Sequence, residues 1–516
     1  MVIDEERPGR VLAGLREFYQ AEPASTAPED QGAEAALALF HDVASTVPAY
    51  GSFLAEHGLD PASVRTTADF ERVPLLVKEA YQRRYALPEL CRGGRLDACD
   101  MVAVSSGSSG TPTVWPRSVL DERLVAARFE QVFHGSFRAD ERRTLAVICF
   151  ALGSWVGGMY TAACCRHLAA KGYPITVATP GNDVDEILRV VGELGPHFDQ
   201  VVLLGYPPFV KNVIDAGLGR GVDWARYGIR LVLAGEVFSE QWRDLVGRRA
   251  GMTEPCHDSA SLYGTADAGV LGNETPLSIR VRRFLAGNPD AARELFGDSR
   301  LPTLVQYDPV TRYFETHEGT LLFTGDNGVP LVRYHIADEG GIVSYDRMLA
   351  FCRKYDFDPL AEPRDDEPGT AGGGDDEPVT AGPRGAPVLP FVYVFGRSLF
   401  TVSFFGANIY PENVTVGLER PGISDQVTGK FVLRVEEDED RDRHLSVVVE
   451  LAPGVPPDPA LASLLAGSIR TELLRLNSEF AHYVPDAYQT PAVELRRAGD
   501  PEFFPPGVKH RYTRPE

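Results

Sequence analysis

Seven consecutive small residues, Ser105, Ser106, Gly107, Ser108, Ser109, Gly110 and Thr111, follow the apolar run Val102-Ala103-Val104 and precede Pro112. None is large enough to fill a core. Together they offer hydroxyls and a row of backbone N–H groups, with glycines free to take positive φ. Successive N–H groups in such a turn form a concavity that accepts phosphate oxygens. A solvated Ser/Gly linker has the same composition. The frame favours the anion cradle, because a strand pattern leads in at Val102 and another resumes at Thr113-Val114-Trp115. Three further stretches carry groups able to do chemistry. Tyr263-Gly264-Thr265-Ala266-Asp267 sets a ring, a glycine and a carboxylate after a short strand, which a turn ending in a solvated aspartate explains equally. Asp338 stands just past Leu331-Val332-Arg333-Tyr334. Gly507-Val508-Lys509 lies near the C-terminus, where an ordinary surface lysine is the plainer reading. Arginine far outnumbers lysine, and the lysines are Lys78, Lys171, Lys211, Lys354, Lys430 and Lys509. A lysine kept against that bias points weakly to the compact ammonium's own chemistry.

The elements that must position these groups follow from hydrophobic periodicity. Residues 9–100 read as helices, with Val73-Pro74-Leu75-Leu76 an extended segment entering a helix at Val77-Lys78-Glu79. Strands at 144–150, 175–178, 200–204 and 229–234 alternate with helices at 120–133, 157–168, 184–194, 207–216 and 240–247. Strands apolar on both faces, alternating with helices, imply a parallel sheet covered on both sides. Ligands gather beyond the carboxyl ends of such strands. After Ser261 the texture turns to β, and 303–307, 320–324 and 330–334 read as a meander. Residues 361–387 contain a near-duplicate, Asp365-Asp366-Glu367-Pro368 and Asp375-Asp376-Glu377-Pro378, too polar to bury a core and expected to be a disordered insertion. A strand at 391–395 and a turn at Gly396-Arg397 lead to about 120 residues of α+β texture. The expected fold is therefore α/β: a large N-terminal domain, 1–395, with mixed and parallel sheets under helices plus a β-meander, and a small α+β domain, 396–516.

The chain has 516 residues and a net charge of −22. That balance argues against a nucleic-acid surface. No run approaches a membrane span and the N-terminus lacks an apolar leader, so a cytoplasmic protein is expected. Seven scattered cysteines outside any CxxC pair suggest neither a disulfide framework nor a zinc ribbon. Cys256, His257 and Cys352 raise a metal site, but without regular spacing a structural role is the commoner explanation.

Taken in order, these stretches resemble the adenylate-forming superfamily of acyl-CoA synthetases, peptide-synthetase adenylation domains and luciferase, nearest the phenylacetate-CoA ligase branch. The loop from Ser105 to Thr113 resembles SSGTTGxPT, Tyr263 to Asp267 resembles YGxTE, and Arg333 to Asp338 resembles RYxTGD. Gly396-Arg397-Ser398 with Gly406-Ala407-Asn408-Ile409-Tyr410-Pro411-Glu412 resembles GRxDD…GxNxYPxxIE. The resemblance implies that residues 105–111 hold the ATP triphosphate. It places Gly235, Glu236, Tyr263, Gly264 and Thr265 around the adenine, Asp338 and Arg397 on the ribose, and Asp267 on Mg²⁺. Lys509 would bridge the substrate carboxylate and the α-phosphate. Phe150, Trp155, Gly157, Tyr206, Pro207 and Ala234 would line the acyl pocket as a slot for an aromatic ring, and core packing is an equal alternative for them. The departures are Thr111 for the loop lysine, Asp267 for Glu, Ala266 for Thr, Ala337 for Gly and an apolar hinge, Leu399-Phe400.

The activity implied is ATP- and Mg²⁺-dependent activation of a small aromatic carboxylic acid as its acyl-adenylate, followed by transfer to coenzyme A. The altered hinge motivates an alternative acceptor: an amine or hydroxyl, giving an amide or ester synthetase, or a carrier-protein thiol. A catalytically dead nucleotide-binding protein is the reading from another class. The partners implied are the acid, ATP and CoA, with a homodimer left open.

Overall fold

The computed structural model describes residues 7–23, 29–104, 113–154, 156–235, 237–298, 300–361, 386–397, 402–404, 407–437, 443–477, 480–481, 484, 486–505, 510 and 512–513. An 11-stranded mixed sheet organises the larger part. Its order is Arg312–His317, Thr320–Gly325, Leu331–Val343, Phe391–Arg397, Thr303–Gln306, Gly269–Asn273, Ser259–Thr265, Ile229–Ala234, Gln200–Gly205, Thr144–Ile148 and Ile175–Ala178. The last five are parallel neighbours and the rest antiparallel.

Burial explains why the parallel strands are apolar throughout. Ala146, Ile148, Val202 and Leu204 face Val125, Phe129 and Phe133 of the helix Val119–Gly135. Their alternates Leu145, Val147, Val201 and Leu203 face Ile187, Val213, Trp224 and Trp242 on the other side. A period of two sends successive side chains to opposite covered faces. Helix starts follow the caps in the sequence. Ser118 accepts from the Asp121 N–H in a capping box, and Asp183 accepts from the Glu186 N–H.

A separate antiparallel pair, Met101–Val104 with Val114–Arg117, sets Val104 opposite Val114, and residues 105–112 between the two strands lie outside the described residues. The C-terminal part builds its own core from the strands Val427–Glu437 and Arg443–Leu451 and the helices Pro411–Leu418 and Pro459–Leu476. The strand Ala492–Arg496 lies parallel to Arg443–Leu451.

Two expectations change. The meander is Arg312–His317, Thr320–Gly325 and Leu331–Val343, whereas Thr303–Gln306 pairs with Phe391–Arg397 and Gly269–Asn273. The strand Arg312–His317 is polar at its exposed end, which hid it from periodicity. Gly396-Arg397 is not a turn, because the strand from Phe391 continues through both residues opposite Asp338 and Glu339. Residues 362–385, which hold the acidic repeat, lie outside the described residues. No described helix is long and apolar enough to cross a membrane.

Candidate active site

The 13-residue strand Leu331–Val343 does most of the positioning. It is interrupted by positive φ at Arg333 (47°) and Ala337 (59°), and its pairing with Thr320–Gly325 shifts register. The Arg333 guanidinium turns towards segment 71–73. It donates to the Val73 carbonyl at 2.7 Å, to the Glu71 carbonyl, and to Glu315. Burial pushes the Glu315 carboxyl up, and Arg333 pulls it back down. The backbone completes the clamp, Leu76 N–H donating to Arg333 O at 3.1 Å and His335 N–H to Leu76 O at 2.8 Å. Segment 71–78 is thereby laid along this strand.

The neighbouring Tyr334 points the other way. Its hydroxyl donates to Asp267 Oδ2 at 2.5 Å, and Lys78 Nζ lies 3.5 Å from Asp267 Oδ1. Asp267 is 3% exposed. Lys78 also stands 5.3 Å from the Trp115 ring centroid. Buried Arg117 ends the strand of Trp115 and donates to the Asp267 carbonyl at 3.0 Å and to the Ala266 carbonyl. The strand pair flanking residues 105–112 is therefore fastened to the acidic turn after Thr265, whose hydroxyl accepts from the Ala268 N–H at 3.2 Å.

One turn along, the Tyr263 hydroxyl donates to Asp338 Oδ2 at 2.7 Å, and both side chains are buried. Asp338 is the register partner of Arg397, which places the two expected ribose residues across one strand pair. A Cβ on Gly264 would sit 2.7 Å from the Gly269 carbonyl oxygen, so this position excludes a side chain. Ala337 holds a left-handed conformation that glycine adopts without strain and alanine adopts at about 1 kcal/mol.

On the acyl side, Phe150 and Tyr206 meet edge to face at 5.0 Å and 88°. A Cβ on Gly157 would sit 3.3 Å from the Phe150 ring, and one on Gly235, at φ +85°, 2.7 Å from the Tyr206 ring. Ala234 packs with the same aromatic cluster, and buried Pro207 begins the helix that follows Tyr206. A cleft enclosing about 710 Å³ lies elsewhere, between the helices Glu240–Arg249 and Pro276–Gly287 and the C-terminal part, and none of the expected residues lines it.

The structure thus gathers Tyr263, Gly264, Thr265, Asp267 and Asp338 in one place and Phe150, Gly157, Tyr206, Pro207, Ala234 and Gly235 in another. Ser105, Ser106, Gly107, Ser108, Ser109, Gly110, Thr111, Trp155, Glu236, Lys509 and the side chain of Arg397 lie outside the described residues. Cys352 is buried under the helix Tyr345–Lys354, while Cys256 and His257 sit on the turn Pro255–Asp258. Among the described residues no group of three or more His, Cys, Asp or Glu could hold a metal ion. Sequence reasoning assigned no role to Lys78, Arg117 or Tyr334. The scarcity of lysine was the one available signal for Lys78. Arg117 and Tyr334 reach Asp267 only through tertiary structure.

No family model matches the chain. It is 24% identical over 301 residues to the phenylacetate-coenzyme A ligase of Thermus thermophilus, a match spanning 57% of this chain and 60% of that relative's length. Among solved structures, 2-hydroxyisobutyryl-CoA ligase in the postadenylation state with R3-HIB-AMP aligns with a TM-score of 0.64 at 14% identity, over 94% of this chain and 89% of that one. The same ligase in its thioesterification state with 2-HIB-AMP and CoA gives 0.51 over the same shares. The chain is similar to these proteins and has the fold of the adenylate-forming ligases.

Proposed function

We propose that this protein activates a small carboxylic acid with ATP, as an acyl-adenylate, and passes the acyl group to coenzyme A. The observation that carries the reading is the buried Tyr263–Asp338 hydrogen bond in register with Arg397. It is a carboxylate held in one orientation, suited to a vicinal diol.

The chemistry demands that a carboxylate attack an α-phosphorus surrounded by negative oxygens, so fixed positive charge must lie where that charge develops. Lys78 supplies one such charge at the strand pair Met101–Val104 and Val114–Arg117, where the loop's own expected lysine is Thr111. Lys509, by the resemblance, supplies the charge between the acid and the α-phosphate. Asp267 offers one carboxylate whose Oδ1 stands 3.5 Å from Lys78 Nζ, and Mg²⁺ takes one or two carboxylates together with substrate phosphates. This donor set fits Mg²⁺, and Asp267 would hold it. When bound, the ion neutralises phosphate charge. Tyr334 and Arg117 keep Asp267 in place.

The acid is an aromatic one. The edge-to-face pair Phe150–Tyr206, with Gly157 and Gly235 against its rings, suits a flat ligand between aromatic walls. Residues 1–395 act as the nucleotide-binding domain and 396–516 as the mobile domain that brings Lys509. Pyrophosphate release from ATP is the test, run with benzoates, hydroxybenzoates, aminobenzoates and arylacetates. Release with none of them rejects the reading. Mass spectrometry of products with and without CoA identifies the acceptor, and an amide, an ester or a carrier-bound acyl group in place of an acyl-CoA rejects CoA as that acceptor.

A further inference from the structure

Arg300 lies outside every motif above, yet its guanidinium joins three separate parts of the chain. It is 5% exposed. Nε donates to Asp298 Oδ2 at 2.7 Å and Nη2 to Glu339 Oε1 at 3.3 Å. Two rings lie against it, Phe395 at 4.3 Å and Tyr410 at 3.7 Å from the guanidinium carbon to the ring centroid. Glu339 follows Asp338 directly. Phe395 lies near the end of the strand Phe391–Arg397, one residue before Gly396 at φ +111°. Tyr410 precedes the helix Pro411–Leu418 of the C-terminal part. Glu412, in the first turn of that helix, lies 3.2 Å from where a Cβ on Gly396 would stand. One planar cation therefore bridges the strand of the nucleotide acid, the crossing point and the first helix beyond it. Arginine suits this task because its flat, delocalised charge stacks on rings while its edge donates to carboxylates.

We propose that Arg300 is a positioning residue, a clasp that holds the C-terminal part in the orientation seen here and so sets how the enzyme divides its time between acyl-adenylate formation and acyl transfer. This rests on the two-step reaction proposed above. Other contacts cross the same seam, among them Lys211 Nζ to the Val427 carbonyl at 3.2 Å and Ser239 to Glu419. They lie on the helix Pro207–Gly219 and beside Glu240–Arg249, and they do not touch the strand of Asp338.

The test is Arg300→Met, which keeps the apolar stem, beside Arg300→Lys, which keeps charge without the flat face. Three quantities are measured on the full-length protein: ATP–pyrophosphate exchange, CoA thioester formation from synthetic acyl-adenylate, and hydrogen exchange of the Pro411–Leu418 amides. The expected result for Arg300→Met is that one half-reaction falls about tenfold or more while the other holds or rises, with faster amide exchange confined to the seam and partial recovery in Arg300→Lys. Equal falls in both half-reactions, or unchanged amide exchange, overturn the clasp. If wild-type protein releases no pyrophosphate with any acid, the proposed reaction fails. Faster exchange at the seam in Arg300→Met then still upholds the clasp as a domain-holding contact, and unchanged exchange still refutes it.

Discussion

Replacing Lys78 by methionine separates a residue that serves the nucleotide from one that merely neutralises a buried acid. Lys78 Nζ stands 3.5 Å from Asp267 Oδ1. At an effective dielectric near 20 that separation corresponds to a gross attraction of about 5 kcal/mol, most of it offset by desolvation. The side chain is 22% exposed, so water takes a further share. Asp267 keeps the Tyr334 hydroxyl at 2.5 Å after the change, and the methionine stem still covers Trp115. Folding stability should therefore fall by only about 1 kcal/mol. Catalysis should suffer more. A triphosphate held by residues 105–111 loses a fixed cation, and such a loss costs about 2–3 kcal/mol of transition-state stabilisation, or roughly a hundredfold in kcat/KM for ATP. Pyrophosphate release with ATP varied at saturating acid, together with thermal melts, measures both numbers. If kcat/KM for ATP stays within about threefold of wild type while Asp267→Asn abolishes activity, Lys78 is a structural counter-ion and the reasoning is wrong. A drop of several kcal/mol in stability refutes it equally, because the pair would then be holding the fold.

Three further outcomes follow from the same geometry. Tyr263→Phe should raise KM for ATP several-fold and Asp338→Asn should cost more, since the first removes one hydrogen bond worth about 1 kcal/mol and the second the charge that receives the ribose; unchanged ATP kinetics in both would remove the ribose site from this strand pair. Ala337→Gly should raise stability by about 0.5–1 kcal/mol by relieving the left-handed alanine, as read from urea midpoints. Burial raises the Glu419 carboxyl from 4.5 to about 7, ahead of the lowering pull of Ser239, Arg282 and Lys211. Between pH 4.5 and 7 the folded protein keeps a proton that the unfolded chain has released, so this group's contribution to stability falls as pH rises through that window, by about 3 kcal/mol in all, and is flat above it; melts of Glu419→Gln against wild type should show the variant gaining ground steadily from pH 5 to 7.

Much of the parallel half was legible because its strands are buried on both faces and its helices carry explicit caps. The helix Val184–Leu194 begins and ends where periodicity puts it. The antiparallel half was harder. Arg312–His317 alternates only partly, with Glu315, Thr316 and His317 facing out or half-buried, so no clean period marks it. Gly396-Arg397 looks like punctuation, but a glycine at φ +111° continues the strand with a twist. At the candidate site, motif order singled out Tyr263, Asp267 and Asp338, which the structure brings near one another from the strand Ser259–Thr265, the turn after it and the strand Leu331–Val343. It could not find Lys78 or Arg117. Lys78 comes within reach of Asp267 only because Arg333, more than 250 residues later, ties down segment 71–73. No local spacing encodes that contact.

The strand Leu331–Val343 explains why strain is tolerated where it is. A regular strand would send Arg333, His335 and Ala337 to one face and Tyr334, Ile336 and Asp338 to the other. The left-handed steps at Arg333 and Ala337 interrupt regular strand geometry, yet Arg333 still points opposite to Tyr334 and Asp338. Arg333 can then grip the N-terminal segment while Tyr334 reaches Asp267 and Asp338 meets Tyr263. Two non-glycine residues at positive φ cost on the order of 1–2 kcal/mol each. The Arg333 side chain offsets its share through buried hydrogen bonds to Val73, Glu71 and Glu315. Ala337 has no comparable compensation in its own side chain, so its strain is sustained by the Tyr263–Asp338 bond and the pairing of Asp338 with Arg397 on either side. Strain held by neighbours in this way marks the segment whose geometry matters most to the nucleotide, and it makes the alanine the cheapest place in the site to add stability without moving a functional atom.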